Sequence, residues 1–134
     1  MIEETALTKG NVLLIDDDKF LLDMYSVKFT QAGYSVHASL SVKEALDVLR
    51  DGFAADAVVF DLVMPQENGF ALLEQIRAAK YVPGACLIAL SNQSDESEKQ
   101  RTEELGATRF IIKASMIPSE VVTAVGEEIA KKKK

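Results

Sequence analysis

The chain has 134 residues, 48% apolar and 27% charged, with a net charge of −6 and a single cysteine. That length supports one domain burying about two-thirds of its unfolded surface, and the composition excludes a disordered or disulfide-stapled chain. No apolar run nears the roughly 20 residues that span a bilayer, and the acidic start Met1-Ile2-Glu3-Glu4-Thr5 lacks the basic and apolar regions of a signal peptide.

The expectation is therefore a cytoplasmic protein with no membrane contact. Cys86 reads as a small buried hydrophobe in a strand. Four lysines end the chain, so residues 1–130 carry −10. Such a body repels phosphate backbones and argues against nucleic-acid binding by the domain itself. Residues 1–9 read as a leader, 10–130 as one domain, and 131–134 as a solvated lysine tail.

Asn11-Val12-Leu13-Leu14-Ile15 is an apolar strand that stops at Asp16-Asp17-Asp18. A helix follows over Lys19 to Ala32, with Phe20, Leu21, Met24, Tyr25 and Val27 as its apolar positions and Gly33 as its stop. Tyr34-Ser35-Val36-His37-Ala38 alternates polar and apolar, as a strand near the sheet edge does, and puts His37 on the surface. Ser41 with Glu44 is a capping box, opening a helix whose buried face is Val42, Ala45, Leu46 and Leu49.

The next strand, Ala57-Val58-Val59-Phe60, is wholly apolar and ends on Asp61; such a run bounded by turn residues reads as a fully buried strand. After Pro65 and Asn68-Gly69, a third helix runs from about Gly69 to Ala79 on Phe70, Leu73 and Ile76. Pro83-Gly84 turns the chain into Ala85-Cys86-Leu87-Ile88-Ala89-Leu90, which ends at Ser91.

Ser94 to Leu105 is helical but almost wholly polar, with a second capping box at Asp95/Glu98 and an expected ion pair between Asp95 and Lys99. Arg109-Phe110-Ile111-Ile112 is a fifth strand that ends at Lys113. Pro118 starts a last helix to about Lys131, with Val121, Val122, Val125 and Ile129 inward.

Five strands alternating with five helices imply βαβ units, a parallel sheet and right-handed crossovers. The expected fold class is α/β: a doubly wound five-stranded parallel sheet, flavodoxin-like (βα)5, in the order 2-1-3-4-5. In that order the first and third strands are neighbours, so Asp16, Asp17 and Asp61 converge at one edge. Carboxylates that close require a raised pKa or a cation, and hard oxygen donors with open positions suit Mg²⁺. Ser91 and Lys113 arrive from the other side. A phosphoryl group on Asp61 would meet a metal, a hydroxyl and an ammonium, which is the electrostatics of phosphoryl transfer.

Taken singly, each residue has a plainer reading: Asp18 as an N-cap, Ser91 as a turn serine, Lys113 as a surface charge. Together, over residues 10–130, the motifs Val12-Leu13-Leu14-Ile15-Asp16-Asp17, Asp61-Leu62-Val63-Met64-Pro65 with Gly69, Leu90-Ser91, Leu105-Gly106-Ala107 and Phe110-Ile111-Ile112-Lys113 resemble the response-regulator receiver domain of two-component signalling. The resemblance implies a phosphorelay receiver, not a conventional enzyme, that catalyses phosphoryl transfer to itself. It makes Asp61 the phosphoacceptor. Asp17, Asp61 and the Val63 backbone carbonyl would hold Mg²⁺ directly, with Asp16 acting mainly through water. Ser91 becomes a hydroxyl switch, Phe110 an aromatic switch and Lys113 the partner of a phosphoryl oxygen. The implied partners are a sensor histidine kinase or histidine phosphotransferase and an output protein read near the fourth helix, fifth strand and fifth helix.

The chain departs from the family pattern at several places. Ala114 stands where a cis proline is usual; a cis bond without proline costs about 3–4 kcal/mol, so a trans bond is expected. Phe110 lacks the hydroxyl of the frequent tyrosine. Thr108-Arg109 replaces an acidic pair used in dimerisation, leaving a monomer or weak dimer. Val63 and Gln93 occupy positions that influence phosphoryl lifetime. With no further domain after residue 130, the expectation is a stand-alone receiver or a domain of a longer chain.

Two other readings compete. Asp16/Asp18, Leu90-Ser91-Asn92 and Lys113 resemble three motifs of a phosphatase of the haloacid dehalogenase superfamily, with Asp16 as nucleophile, although Asp61 is then unexplained. The other is a degenerate receiver that serves only as an interaction module.

Overall fold

The computed structural model describes residues 8–64 and 66–132. Most of the expected leader, Pro65 and the last two lysines lie outside the described residues. The elements are β1 (Asn11–Ile15), α1 (Lys19–Gln31), β2 (Ser35–Ser39), α2 (Val42–Arg50), β3 (Ala57–Asp61), α3 (Gly69–Ala79), β4 (Cys86–Ser91), α4 (Glu96–Glu104), β5 (Arg109–Ile112), a short 3₁₀ turn at Lys113–Ser115, and α5 (Pro118–Lys132). All pairings are parallel and the strand order is β2-β1-β3-β4-β5. The expected order is borne out.

Alternation along the strands sends side chains to two faces. Val12, Leu14, Val59, Ile88 and Ile111 pack under α1 and α5, against Leu22, Phe29, Val121 and Ile129. Leu13, Ile15, Val58, Phe60 and Ala89 pack under α2 and α3, against Val42, Leu49, Leu73 and Ile76. β3 has neighbours on both sides and every residue of it is buried. β2 pairs with β1 alone and leaves His37 exposed, as its alternating sequence implied.

Three local expectations change. In α1 the buried stripe is Leu22, Tyr25 and Phe29, while Phe20 and Val27 face outward. A helix on one sheet face needs only an i, i+3, i+7 stripe, and here that stripe is rotated from the one expected. In α2 the Ser41 hydroxyl accepts from the Glu44 amide as expected, but Glu44 reaches back to the Leu40 amide, one residue before the cap. In α4 Asp95 is the N-cap, and its Oδ1 accepts from the amides of Ser97 and Glu98. That carboxylate is engaged within the cap, and no Asp95–Lys99 pair forms among the described residues. The Lys113–Ala114 peptide is trans, as expected.

Candidate functional site

The register of the sheet decides which side chains meet. Ile15 pairs with Phe60, Asp61 with Leu90, and Ser91 with Ile112. Asp16 therefore leaves β1 beside Asp61 at the end of β3, and Lys113 leaves β5 one step beyond Ser91. The chain runs from β1 out to β2 and back across to β3, so β1 and β3 flank the point where strand order reverses. Open parallel sheets hold their ligand crevice there, outside the carboxyl ends of the strands.

Asp16, Asp61 and Ser91 are almost fully buried, while Asp17 is exposed. One carboxylate oxygen from each of Asp16, Asp17 and Asp61 falls within 4.8 Å of the others. Lys113 Nζ lies 3.3 Å from Asp16 Oδ2 and 3.4 Å from Asp61 Oδ1, with its side chain 13% exposed. The second Asp16 oxygen accepts from the Asp18 amide at 2.9 Å. Asp61 Oδ1 is buried and makes no aligned hydrogen bond; its contact with Lys113 is an ion pair without donor geometry.

Burial pushes the Asp61 carboxyl above the ordinary aspartate range; the Lys113 charge opposes this, and the Asp16 charge adds to it. Burial also works against the charged form of Lys113, yet Asp61 and Asp16 together outweigh it and the ammonium is held above its usual value. Among the described residues, Lys113 thus pairs with two buried carboxylates, and the exposed Asp17 adds a third charge beside them. The edge is short of positive charge.

The structure brings Asp16, Asp17, Asp61 and Lys113 together. Val63 follows on the loop after β3 with its side chain exposed. Ser91 is at the same edge, but its hydroxyl turns toward the β4–α4 loop, donating to the Gln93 carbonyl at 2.9 Å and lying 3.4 Å from Glu98 Oε1. Phe110 is half-buried against the α2–α3 core, beside Ala89 of β4. Asp18 does not join the cluster: its Oδ1 caps α1, accepting from the Phe20 and Leu21 amides. This removes the Asp16/Asp18 pair on which the phosphatase reading rests.

Sequence reasoning missed two residues. Tyr25, assigned only to the core, is lifted above its usual phenol range by burial, and it also feels Lys113, Asp16 and Asp61. Glu98, a capping residue by its spacing from Asp95, instead points its carboxylate at Ser91. Nothing in the local sequence signals either. Gly69, by contrast, has a clear requirement: a Cβ there would stand 3.0 Å from the Asp61 carbonyl and 2.9 Å from Phe60 and Leu62 side-chain carbons. Glycine lets α3 begin against the strand end that carries Asp61.

Known proteins share this fold. The chain is 31% identical to the non-phosphorylated HemR receiver domain of Leptospira biflexa, covering 90% of this chain and 94% of that one with a TM-score of 0.79. A CheY-like receiver domain protein of Methanospirillum hungatei shares the fold with a TM-score of 0.84 at 22% identity, over 92% of this chain and 96% of that chain. Response regulator SaeR of Staphylococcus aureus is 27% identical over 125 residues, 92% of this chain and 52% of its own length. The chain spans between 25% and 52% of the first curated relatives it matches. The pattern of the response regulator receiver domain matches residues 12–125, from β1 into α5. That span takes in all five strand ends and the whole acidic edge, and the chain belongs to the response regulator receiver domain family.

Proposed function

We propose that Asp61 is the phosphoacceptor of this receiver. The observation that carries the reading is Asp61 Oδ1 itself, buried, without an aligned hydrogen bond, and 3.4 Å from the Lys113 ammonium. An Asp61 oxygen attacks phosphorus and forms the new P–O bond. When the donor is a phosphohistidine, the P–N bond breaks and its electron pair stays on the imidazole. Lys113 offsets charge on one phosphoryl oxygen, and the Ser91 hydroxyl, once turned inward, donates to another. Phe110 moves with Ser91 and passes the change to the surface of α4, β5 and α5.

The oxygens of Asp16, Asp17 and Asp61 fit a small hard cation, since the three carboxylates lie within 4.8 Å of one another and the Lys113 ammonium pairs with two of them. Asp17, Asp61 and the Val63 carbonyl would hold Mg²⁺, with Asp16, already engaged by Lys113 and the Asp18 amide, acting through water. When bound, the ion neutralises charge on the transferred group. The donor is a sensor histidine kinase or histidine phosphotransferase, and the output partner reads the α4–β5–α5 surface. Residues 10–130 act as the receiver unit, flanked by 1–9 and 131–134. No helix among the described residues is long and apolar enough to cross a membrane; we place the domain in the cytoplasm.

Incubation with phosphoramidate and Mg²⁺, read by intact mass, tests the assignment. Wild type gains one phosphoryl group and Asp61→Asn gains none. A stable adduct on Asp61→Asn, or its loss only in Asp16→Asn, would refute it.

A further inference from the structure

None of the nine residues of α4, Glu-Ser-Glu-Lys-Gln-Arg-Thr-Glu-Glu, is apolar. A helix on a domain surface is ordinarily seated by an apolar stripe. Glu98, Arg101, Thr102 and Leu105 follow the i, i+3, i+4, i+7 spacing of one helical face; three of the four are polar, and Thr102 is buried while Arg101 is exposed. Arg101 lies over the Phe70 ring of α3, 4.1 Å from its centroid. Thr102 is fully buried and its Oγ1 donates to the Lys99 carbonyl at 2.8 Å. Glu98 Oε1 stands 3.4 Å from Ser91 Oγ. Leu105 alone adds an apolar contact, to the α2–α3 core.

The Ser91 hydroxyl has one proton to donate. Its neighbours are the Gln93 carbonyl at 2.9 Å, the Gln93 amide at 3.3 Å and the Glu98 carboxylate. All three lie on the α4 side of β4, and among the described residues the hydroxyl makes no hydrogen bond to Asp61. A proton directed at Gln93 or Glu98 cannot also serve a phosphoryl oxygen on Asp61.

We propose that Glu98 is a positioning residue for Ser91: beside the nearer Gln93 carbonyl, its carboxylate helps hold the hydroxyl on the α4 side and competes with the phosphoryl group for the same proton. This rests on Asp61 as the acceptor. Glu98 is also half-buried at the inner side of α4, so departure of the hydroxyl removes a polar contact between that helix and β4. The residue that opposes phosphorylation is thereby the residue through which α4 senses it.

The test uses the full chain with Mg²⁺ and phosphoramidate, measuring the donor concentration that gives half-maximal phosphorylation. Glu98→Ala lowers that concentration about three- to tenfold, the range of an ordinary hydrogen bond, because 3.4 Å is long for a charge-assisted one. Glu98→Gln keeps an acceptor oxygen without the charge and falls between wild type and Glu98→Ala. In a Ser91→Ala background neither replacement changes the midpoint. An equal shift in the Ser91→Ala background would assign the effect to general charge repulsion and overturn the proposal. So would an unchanged midpoint in the Ser91 background. Phosphorylation of Asp61→Asn at the wild-type level would instead overturn the acceptor assignment and leave the Glu98–Ser91 contact without this role.

Discussion

Lys113 Nζ lies 3.4 Å from Asp61 Oδ1, and yet the Asp61 carboxyl is pushed up rather than down. An ammonium beside a carboxylate normally favours the charged form. Here burial of Asp61 is the larger effect, and the same ammonium is shared with Asp16 at 3.3 Å. The carboxyl edge therefore carries a standing excess of negative charge, which a cation relieves.

That excess sets the sign of a pH dependence. The folded value of Asp61 lies above its unfolded value of about 3.9. Between the two the folded state holds the extra proton, so stability declines as pH rises through the window and the penalty is complete above it. In chelator at pH 7, Asp61→Asn is more stable than wild type by urea unfolding. The advantage shrinks on acidification and is gone below the unfolded value. An advantage that grew toward low pH would contradict the burial argument.

Asp17 is the exposed member of the acidic group, so its replacement separates the ion from the fold. In chelator, Asp17→Asn unfolds within about 0.5 kcal/mol of wild type, as surface changes do. With Mg²⁺ at a hundred times its dissociation constant, wild type gains about 2.7 kcal/mol, and Asp17→Asn gains little. Melting curves with and without the ion measure both. Equal Mg²⁺ stabilisation of the two proteins would remove Asp17 from the ligand set.

Gly69 is constrained by space. Gly69→Ala puts a Cβ into the Asp61 carbonyl and the Phe60 side chain, neither of which can swing away freely. Overpacking of this kind costs about 1–3 kcal/mol. Gly84 is a control, since a Cβ there meets nothing within 4 Å. Denaturant midpoints of the two alanine variants should separate clearly; coincident midpoints would show that α3 can shift without cost.

Arg109 offers a comparison of a buried and an exposed ion pair. Its Nη1 lies 3.3 Å from Glu128 Oε2 and 3.4 Å from Glu127 Oε1; the Glu128 side chain is 9% exposed and that of Glu127 59%. Arg109→Ala leaves Glu128 with Lys131 at 3.4 Å and should cost about 1–3 kcal/mol, the range for an under-satisfied buried group. Glu127→Ala should fall within about 1 kcal/mol of wild type. Urea unfolding of both decides it; equal losses would mean that the burial of Glu128 adds nothing.

Much of this molecule is legible without coordinates, for a physical reason. The strands at 11–15, 57–61 and 109–112 are short apolar runs closed by charged residues, and the structure places β1, β3 and β5 over those same ranges. Burial on both faces of β3 leaves that run no polar position to alternate. Ser41, Asp95 and Asp18 cap their helices through local side-chain bonds that need no tertiary partner. Alternation of strands and helices then allows few topologies, and the order 2-1-3-4-5 brings Asp16, Asp17, Asp61, Ser91 and Lys113 to one edge.

What the sequence by itself determined, then, is the element order, the fold class and which residues end the strands, because periodicity and capping are local. Tertiary structure alone decided where polar and amphipathic side chains turn. It rotated the buried stripe of α1 to Leu22, Tyr25 and Phe29. It aimed Glu98 at Ser91 rather than at its own cap, and turned the hydroxyl away from Asp61. Those choices depend on partners distant in sequence and on competition for a single proton, and neither leaves a periodic signal in the chain.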